Sequence, residues 1–333
     1  MARKAKPTLA IVGAGMAGLT AGRLCQKAGM AVTLYDKGRG VGGRCATRRR
    51  DDFSFDHGAQ LVGANDGEFR GALRGWMVST TAQRWRGKFQ GLPKDVTPFV
   101  GAPGMNAIPK LMADGLNIYL PVEIDSVRPE PGGLWGLTDK ENRHLGSYDA
   151  VLLTCPPEQA KRLTGPALAG QFDRPSRMRA VWTVMAAFQR PVQTGLDGIV
   201  MDGEPLTWAA RNSSKPERAG TPESWVLHAG PDITEQFLDH PREEVVGDLL
   251  AAFEHWLDES LPPQMYATAH RWLYAQAEGE SRDGEISFFD PSMGLGLAGD
   301  WLNPPSSPFF GLQSAWQSGK DAATKLKAWA KDR

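Results

Sequence analysis

Thr8-Leu9-Ala10-Ile11-Val12 is a short apolar run of the kind that forms a strand buried on both faces. It passes directly into Gly13-Ala14-Gly15-Met16-Ala17-Gly18. In that order, Gly13 permits a tight turn, Gly15 lets the backbone approach a pyrophosphate, and Gly18 lets the next helix pack against the strand. The spacing predicts that helix from about Met16 to Ala28, its N-terminal N–H groups aimed at the phosphates and Gly29 closing it. Ala31-Val32-Thr33-Leu34-Tyr35-Asp36 reads as a second strand that ends in an acid where a ribose-binding carboxylate belongs. An acid there selects an adenosine with a free 2′-OH, because a 2′-phosphate would be repelled. The turn Gly42-Gly43-Arg44 follows, and an ordinary nicotinamide-binding domain has no need of it. Together these features require a large, mostly buried dinucleotide, with FAD the leading candidate.

Composition narrows the setting. A chain of 333 residues can build two domains or one large composite. Lys+Arg and Asp+Glu are both 38, which gives no nucleic-acid footprint. Arg48-Arg49-Arg50 is offset by Asp51-Asp52 and reads as a solvated loop, with steering of an anionic substrate as the alternative. Cys25, Cys45 and Cys155 are too few and of the wrong parity for a disulfide framework, and no Cys/His spacing points to a metal. The basic segment Met1–Pro7 precedes a short, glycine-broken apolar run that is a core strand rather than a signal peptide, and no run is long enough to span a membrane. A cytoplasmic protein without membrane or nucleic-acid partners is expected.

Further along, Phe53–Gln60 reads as a short strand meeting a glycine turn, with Asp56 and His57 shaping that turn. Asn117–Val122 and Ala150–Thr154 are strand-like, the latter halted by Pro156-Pro157. Residues 160–285 change texture, with aromatic and β-branched strands at Ala180–Phe188 and Trp225–Ala229. A helix is expected over Arg242–Leu257, with Val245, Leu249, Ala252, Phe253 and Trp256 on its core face. Leu295–Trp301 then gives a strand ending in Gly299-Asp300. A last helix with small residues begins near Gly311. A strand, a Gly-Asp and a small-residue helix so far from the opening glycines predict one discontinuous domain that the chain leaves and rejoins.

GAGMAGL, YDKGRGVGGR, FDHGAQ, the Gly-Met-Asn-Ala-Ile segment at 104–108 and GDW at 299–301 together resemble the flavin amine oxidase superfamily. Within it, Trp208–Arg218 and His270–Ala275 are similar to segments of the bacterial renalase-like flavoproteins. The resemblance implies an α/β fold like p-hydroxybenzoate hydroxylase. A discontinuous Rossmann-like FAD-binding domain would span 1–75, 101–158 and 288–333, and a second, α+β substrate domain 76–100 and 159–287. It implies that Gly13, Gly15, Ala17 and Gly18 cradle the pyrophosphate and that Asp36, beside Lys37, binds the adenosine ribose. Gly43 and Arg44 would hold the phosphate and ribityl region, Gly58, Ala59 and Gln60 would line the isoalloxazine, and Val122 would meet the adenine through its backbone. Gly299-Asp300 would bind a pyrophosphate or ribityl group, and Leu312 would place helix N–H groups at the flavin pyrimidine edge.

The resemblance also implies an oxidase that takes hydride from 2- or 6-dihydro isomers of NAD(P) to flavin N5 and passes the electrons to dioxygen, giving hydrogen peroxide. That chemistry asks for positioning more than for a base, and no acid–base pair stands out; no catalytic residue is assigned. Leu61, Trp182, His228, Arg271, Trp272 and Tyr274 are expected walls of the substrate cavity. An amine oxidase or desaturase of a small or hydrophobic substrate, and a flavin-bearing binding protein without turnover, are the alternatives. The chain departs from the group where Gln60 is followed by Leu61-Val62 rather than an aromatic pair, and in a longer 302–310 loop. No cysteine lies beyond Cys155, so a C-terminal cysteinyl–flavin link cannot form and FAD is expected to be non-covalent.

Overall fold

The computed structural model describes residues 6–50, 52–173, 177–201, 203, 205–280 and 282–333. The basic residues 1–5 and Asp51, which entered the reading above, lie outside the described residues. The chain divides into two compact units, Met1–Gly43, Pro109–Met178 and Ala277–Arg333 forming one, Arg44–Ile108 and Arg179–Gln276 the other. Both are discontinuous, but their bounds differ from the expected domains. Residues 44–75 and 101–108 fall in the second unit, and 159–178 and 277–287 in the first.

The first unit is built on a six-stranded sheet. Its order is Ser287–Asp290, Leu295–Ala298, Ala150–Leu153, Thr8–Val12, Ala31–Tyr35 and Asn117–Tyr119. All neighbours are parallel except the antiparallel edge pair 287–290 and 295–298. Central strands of a parallel sheet are covered on both faces, which is why Leu9, Ala10, Ile11 and Val151–Leu153 are apolar without alternation and inaccessible to solvent. The expected return of the chain is present: Leu295–Ala298 pairs with Ala150–Leu153, which pairs with the opening strand. The helix Met16–Lys27 follows the first strand, and Gly29 at φ +93° lies just beyond its end. The last helix, Gly311–Lys331, packs along it. A Cβ on Gly319 would collide with the Ala17 carbonyl, so the small residues of that helix allow two backbones to touch. A separate antiparallel sheet, 124–130, 134–139 and 144–148, joins a core containing Val127, Trp135, Leu137 and Leu163.

The second unit carries another six-stranded sheet, ordered Gln264–Glu278, Arg177–Phe188, Glu223–Ala229, Leu206–Arg211, Gly198–Val200 and Phe89–Gln90. Alternation gives it two distinct faces. Trp182, Val184, Ala186, Phe188, Trp225, Leu227 and Ala269 cluster with Val245, Leu249, Leu250 and Phe253 of the helix Arg242–Leu257. Met185, Ala187 and Val226 on the other face pack against Phe55. The expected helix core face holds except at Trp256, which lies in the last turn and is 36% exposed while Leu250 is buried. Among the described residues, no helix is long and apolar enough to cross a membrane.

Gly319→Ala should destabilise the protein by about 1–3 kcal/mol, because the new methyl group meets a backbone carbonyl that cannot yield. Gly247→Ala, in the helix 242–257 with open space at its Cβ, should stabilise by about 0.4–1 kcal/mol. Denaturant unfolding of the two variants measures both signs.

Candidate functional site

In the first unit the glycine loop has the form an anion site needs. Gly13 adopts φ +115°, and Thr154 Oγ1 donates to the Val12 and Gly13 carbonyls at 3.1 and 3.0 Å. A Cβ on Gly18 would strike the Gly13 carbonyl, whereas one on Gly15 would meet nothing within 4 Å. Gly18 is therefore demanded by packing, and Gly15 leaves room for something outside the protein. The helix Met16–Lys27 has no side-chain cap at Gly15 and no acid in its first turn, so its first N–H groups form an uncapped, positive end. Gly42 N–H donates to the Ala14 carbonyl at 2.8 Å, and a Cβ on Gly43 would lie 3.8 Å from Gly15 Cα. The Gly42-Gly43 turn thus lies against the loop, leaving space beside it. An uncapped helix start beside two glycines with open Cβ positions fits a pyrophosphate.

The other expected contacts of this unit are placed as follows. Asp36 Oδ2 accepts from Ala14 N–H and Oδ1 from Gly38 N–H, both at 2.7 Å, so the carboxylate ties the glycine loop to the turn after the second strand. Lys37 beside it is exposed. Val122 N–H donates to the Asp36 carbonyl at 2.8 Å, which leaves its carbonyl as its backbone offering to a ligand. Gly299 N–H donates to Ser318 Oγ at 2.8 Å, tying the Gly299-Asp300 turn to the last helix, whose first turn holds buried Leu312 and also lacks a side-chain cap. Ala17 is buried where Gly319 crosses it. In the 302–310 loop, Leu302 is fully buried and Asn303 Nδ2 donates to Ser314 O at 3.3 Å.

The second unit holds a buried charge cluster that the sequence reading passed over. Asp56 sits at the end of the ribbon strand Phe53–Asp56. Its Oδ2 accepts from Arg218 Nη2 at 2.6 Å and from Lys215 Nζ at 3.3 Å, and its Oδ1 from Met105 N–H and Thr47 Oγ1 at 2.9 and 2.7 Å. Asp56 is not a mere turn former: its carboxylate and the Lys215 side chain are wholly shielded from solvent. Burial alone would raise its pKa, but Lys215, Arg218 and the Met105 N–H outweigh burial and hold it at about 2. Burial and Arg218 push Lys215 down to about 8 against the pull of Asp56. With one carboxylate and two cations, the cluster carries one positive charge in excess below that pH.

Lys215 reaches further, donating to Gln60 Oε1 at 3.1 Å. Gln60 Nε2 donates to the carbonyls of Asp56 and Gly58 and lies 3.3 Å from His228 Nε2. The Gln60 amide is thus spent inside the protein. Gly58 and Ala59 turn over the Arg44 carbonyl, which accepts from Ala59 N–H at 2.9 Å, while Arg44 Nη1 donates to Ala275 O at 3.0 Å. Leu61 is buried, and Val62 beside it pairs with Phe99.

The expected cavity residues separate into two groups. Thr183 and Trp208 are register partners of His228, so the three share one face of the sheet. In the strand 264–278, Tyr266 packs on the Phe55 side, and the period of two puts His270, Trp272 and Tyr274 on that same side. Trp272 stacks on His57 with centroids 5.2 Å apart and donates from Nε1 to the His57 carbonyl at 2.8 Å. Arg271 lies on the opposite face. Its guanidinium bonds the Leu238 carbonyl and Asp239 and lies 5.7 Å from the Trp182 ring, which is in the helix-covered core. Trp182 and Arg271 therefore do not join His228, Trp272 and Tyr274, because one-residue alternation sends them to the other side. Burial first, then neighbouring positive groups, holds His228 near 3 and His57 and His270 near 4, so all three are neutral at pH 7.

Asp56→Asn would leave Lys215 and Arg218 without their counter-charge and should cost about 3–5 kcal/mol. Lys215→Met, which leaves the Asp56–Arg218 pair intact, should cost clearly less. Thermal unfolding of the two variants at one pH compares them.

Residues 11–74 match the NAD(P)-binding Rossmann-like domain, and residues 68–327 match the family described as flavin containing amine oxidoreductase. Among curated proteins the chain is similar to 4,4'-diapophytoene desaturase of Staphylococcus haemolyticus, 41% identical over 54 residues, which are 16% of this chain and 11% of that protein. The corresponding desaturase of Staphylococcus aureus is 39% identical over the same length. The chain thus spans about a tenth of the length of these relatives. Among solved structures it is similar in fold to a chain from Exiguobacterium sp. 255-15 provisionally described as a protoporphyrinogen oxidase. The TM-score is 0.77 at 14% identity, covering 97% of this chain and 99% of that one. Putrescine oxidase bound to putrescine gives 0.74 at 14% identity, covering 97% and 99%. With the family match running over most of the sequence and the glycine cradle shaped for a pyrophosphate, the chain belongs to the flavin containing amine oxidoreductase family.

Proposed function

We propose that this flavoprotein is an oxidase of dihydronicotinamide dinucleotides, the 2- or 6-dihydro forms of NAD(P), with dioxygen as electron acceptor. The observation that carries this reading is the charge of the second unit's site. Asp56, Lys215 and Arg218 leave a buried positive charge in excess, and the facing histidines are neutral. A cationic amine would be repelled by that charge, whereas a phosphate-bearing dinucleotide would be drawn to it. A dihydropyridine becomes aromatic by losing hydride alone, so the weak basicity of these imidazoles is no obstacle. Bound without a covalent link, FAD would supply the hydride acceptor and the route of the electrons to dioxygen.

The chain's own residues would then divide the work. Gly13, Gly15, Ala17, Gly18 and Gly43 give the pyrophosphate its space, Asp36 reaches the adenosine ribose, and Val122 offers its carbonyl to the adenine. Asp300 and Leu312 stand at the second uncapped helix start, and Arg44, Gly58, Ala59 and Gln60 keep the cofactor-facing roles the resemblance implies. Lys215 acts as a positioning residue through Gln60 and His228. His228, Trp272 and Tyr274 form the substrate-facing wall, with Leu61 beside them in the chain. Three free cysteines accord with a reducing, cytoplasmic setting.

An amine oxidase or desaturase is the second reading, favoured by the fold shared with putrescine oxidase. Anaerobic mixing separates the two: the flavin's visible absorbance should bleach with 6-dihydro-NAD(P) or 2-dihydro-NAD(P) and persist with putrescine and other amines. Bleaching by amines alone would overturn the proposal. Substrate affinity should be level between about pH 5 and 7, because no histidine of the site changes charge there. It should weaken above about pH 8, where Lys215 loses its proton and the excess positive charge disappears. Lys215→Met should remove that inflection.

A further inference from the structure

The second unit has an open groove of about 880 Å³, lined from Arg84 to Phe89, by Leu92, Pro93, Lys94, Val96 and Pro98, and by Asp197. Arg84, Arg86, Lys88 and Lys94 line it, and all four are exposed. Among the described residues, none of these four side chains has an ion-pair partner. The one acid of the groove is already committed: Asp197 Oδ2 accepts from the Lys88 backbone N–H at 2.7 Å and Oδ1 from the Arg211 guanidinium. Four positive charges therefore line one concave volume whose own lining acid is already paired; Asp95, between Lys94 and Val96, is exposed and is not part of that lining. The rest of the wall is apolar, with Trp85 and Phe89 edge to face at 4.8 Å between centroids. Trp85 also joins the groove to the buried cluster. Its Nε1 donates to Ser214 Oγ at 3.0 Å, and its ring lies 5.2 Å from Lys215 Nζ.

A volume of this size suits a small molecule rather than a macromolecular face, since such sites hold about 300–1,000 Å³. Two guanidinium forks grip phosphate oxygens in pairs, two ammonium groups add point charges, and the apolar wall takes an organic part. We propose that this groove binds the adenosine diphosphate end of the dinucleotide substrate, with Arg84, Arg86, Lys88 and Lys94 on its phosphate oxygens. The identity of the ligand rests on the dihydronicotinamide reading; the existence of the site does not. In this arrangement the adenosine half is an anchor that contributes affinity and takes no part in the chemistry.

Titration of the FAD-loaded protein with ADP-ribose, followed by calorimetry, tests the groove without turnover. One site should saturate, binding should weaken as salt rises, and the charge reversals R84E/R86E and K88E/K94E should each weaken it by about tenfold or more. The milder R84A/R86A should weaken it less. Among the described residues these side chains make no hydrogen bond or ion pair, so an unchanged flavin spectrum and melting temperature certify the fold of each variant. In turnover, R84E/R86E should raise KM for the dihydro-dinucleotide at unchanged kcat and leave KM for dihydronicotinamide riboside, which lacks the adenosine diphosphate, where it was. Absent ADP-ribose binding, or binding untouched by the reversals, overturns the groove even if dihydronicotinamides bleach the flavin. Binding that the reversals abolish, with no bleaching by any dihydronicotinamide, supports the groove and overturns the proposed function instead. Inorganic pyrophosphate binding as tightly as ADP-ribose would reduce the groove to a bare anion site and overturn the nucleotide assignment.

Discussion

The start of the helix Met16–Lys27 is held by backbone contacts that only glycine permits. Gly18 lets that helix meet the Gly13 carbonyl, and Gly319 lets the last helix meet the Ala17 carbonyl. A helix pressed this close to the first strand leaves its uncapped N–H groups pointing into the space beside Gly15 and Gly43. The cofactor cradle is therefore a product of packing, and the ligand-facing glycines are separable from the packing glycines by what a Cβ would meet at each.

The second unit rests on a different kind of constraint. Two cations and a carboxylate share a volume closed to solvent, and the desolvation cost is offset only because Met105, Thr47 and Gln60 complete the hydrogen bonding. The excess charge that remains does what a neutral cluster could not. After burial, its Lys215 charge is the next cause that holds His228 down, and through the Trp85 ring it adjoins the cation-lined groove.

Much of the fold was legible because it is written in local patterns. The opening strand, the helix bounded by Gly29, the acid at Asp36 and the last helix all have periodicities or turn residues that act within a few positions. The helix over Arg242–Leu257 was legible for the same reason, down to Val245, Leu249 and Phe253. The cavity walls were legible only in part. Choosing Arg271 along with Trp272 and Tyr274 overlooks that neighbours on a strand point to opposite faces, and Trp182 is the same error one strand away. Asp56 and Lys215 lie 159 residues apart, and no spacing rule connects such positions. The nearest signal was the unusual density of charge in Lys215-Pro216-Glu217-Arg218 following an apolar strand.

The sequence by itself determined the glycine loop between strand and helix and the return of the chain to close the first sheet. Glycine positions, strand–helix alternation and a terminal acid are local requirements that no other arrangement of those residues meets. Only the tertiary structure decided which residues meet in the second unit and with what net charge. Burial sets the protonation of His57, His228, His270 and Lys215, and burial is a property of everything packed around a group. The buried excess positive charge and, among the described residues, the cations at 84–94 without an ion-pair partner are facts of that kind, and the proposal of an anionic substrate rests on them.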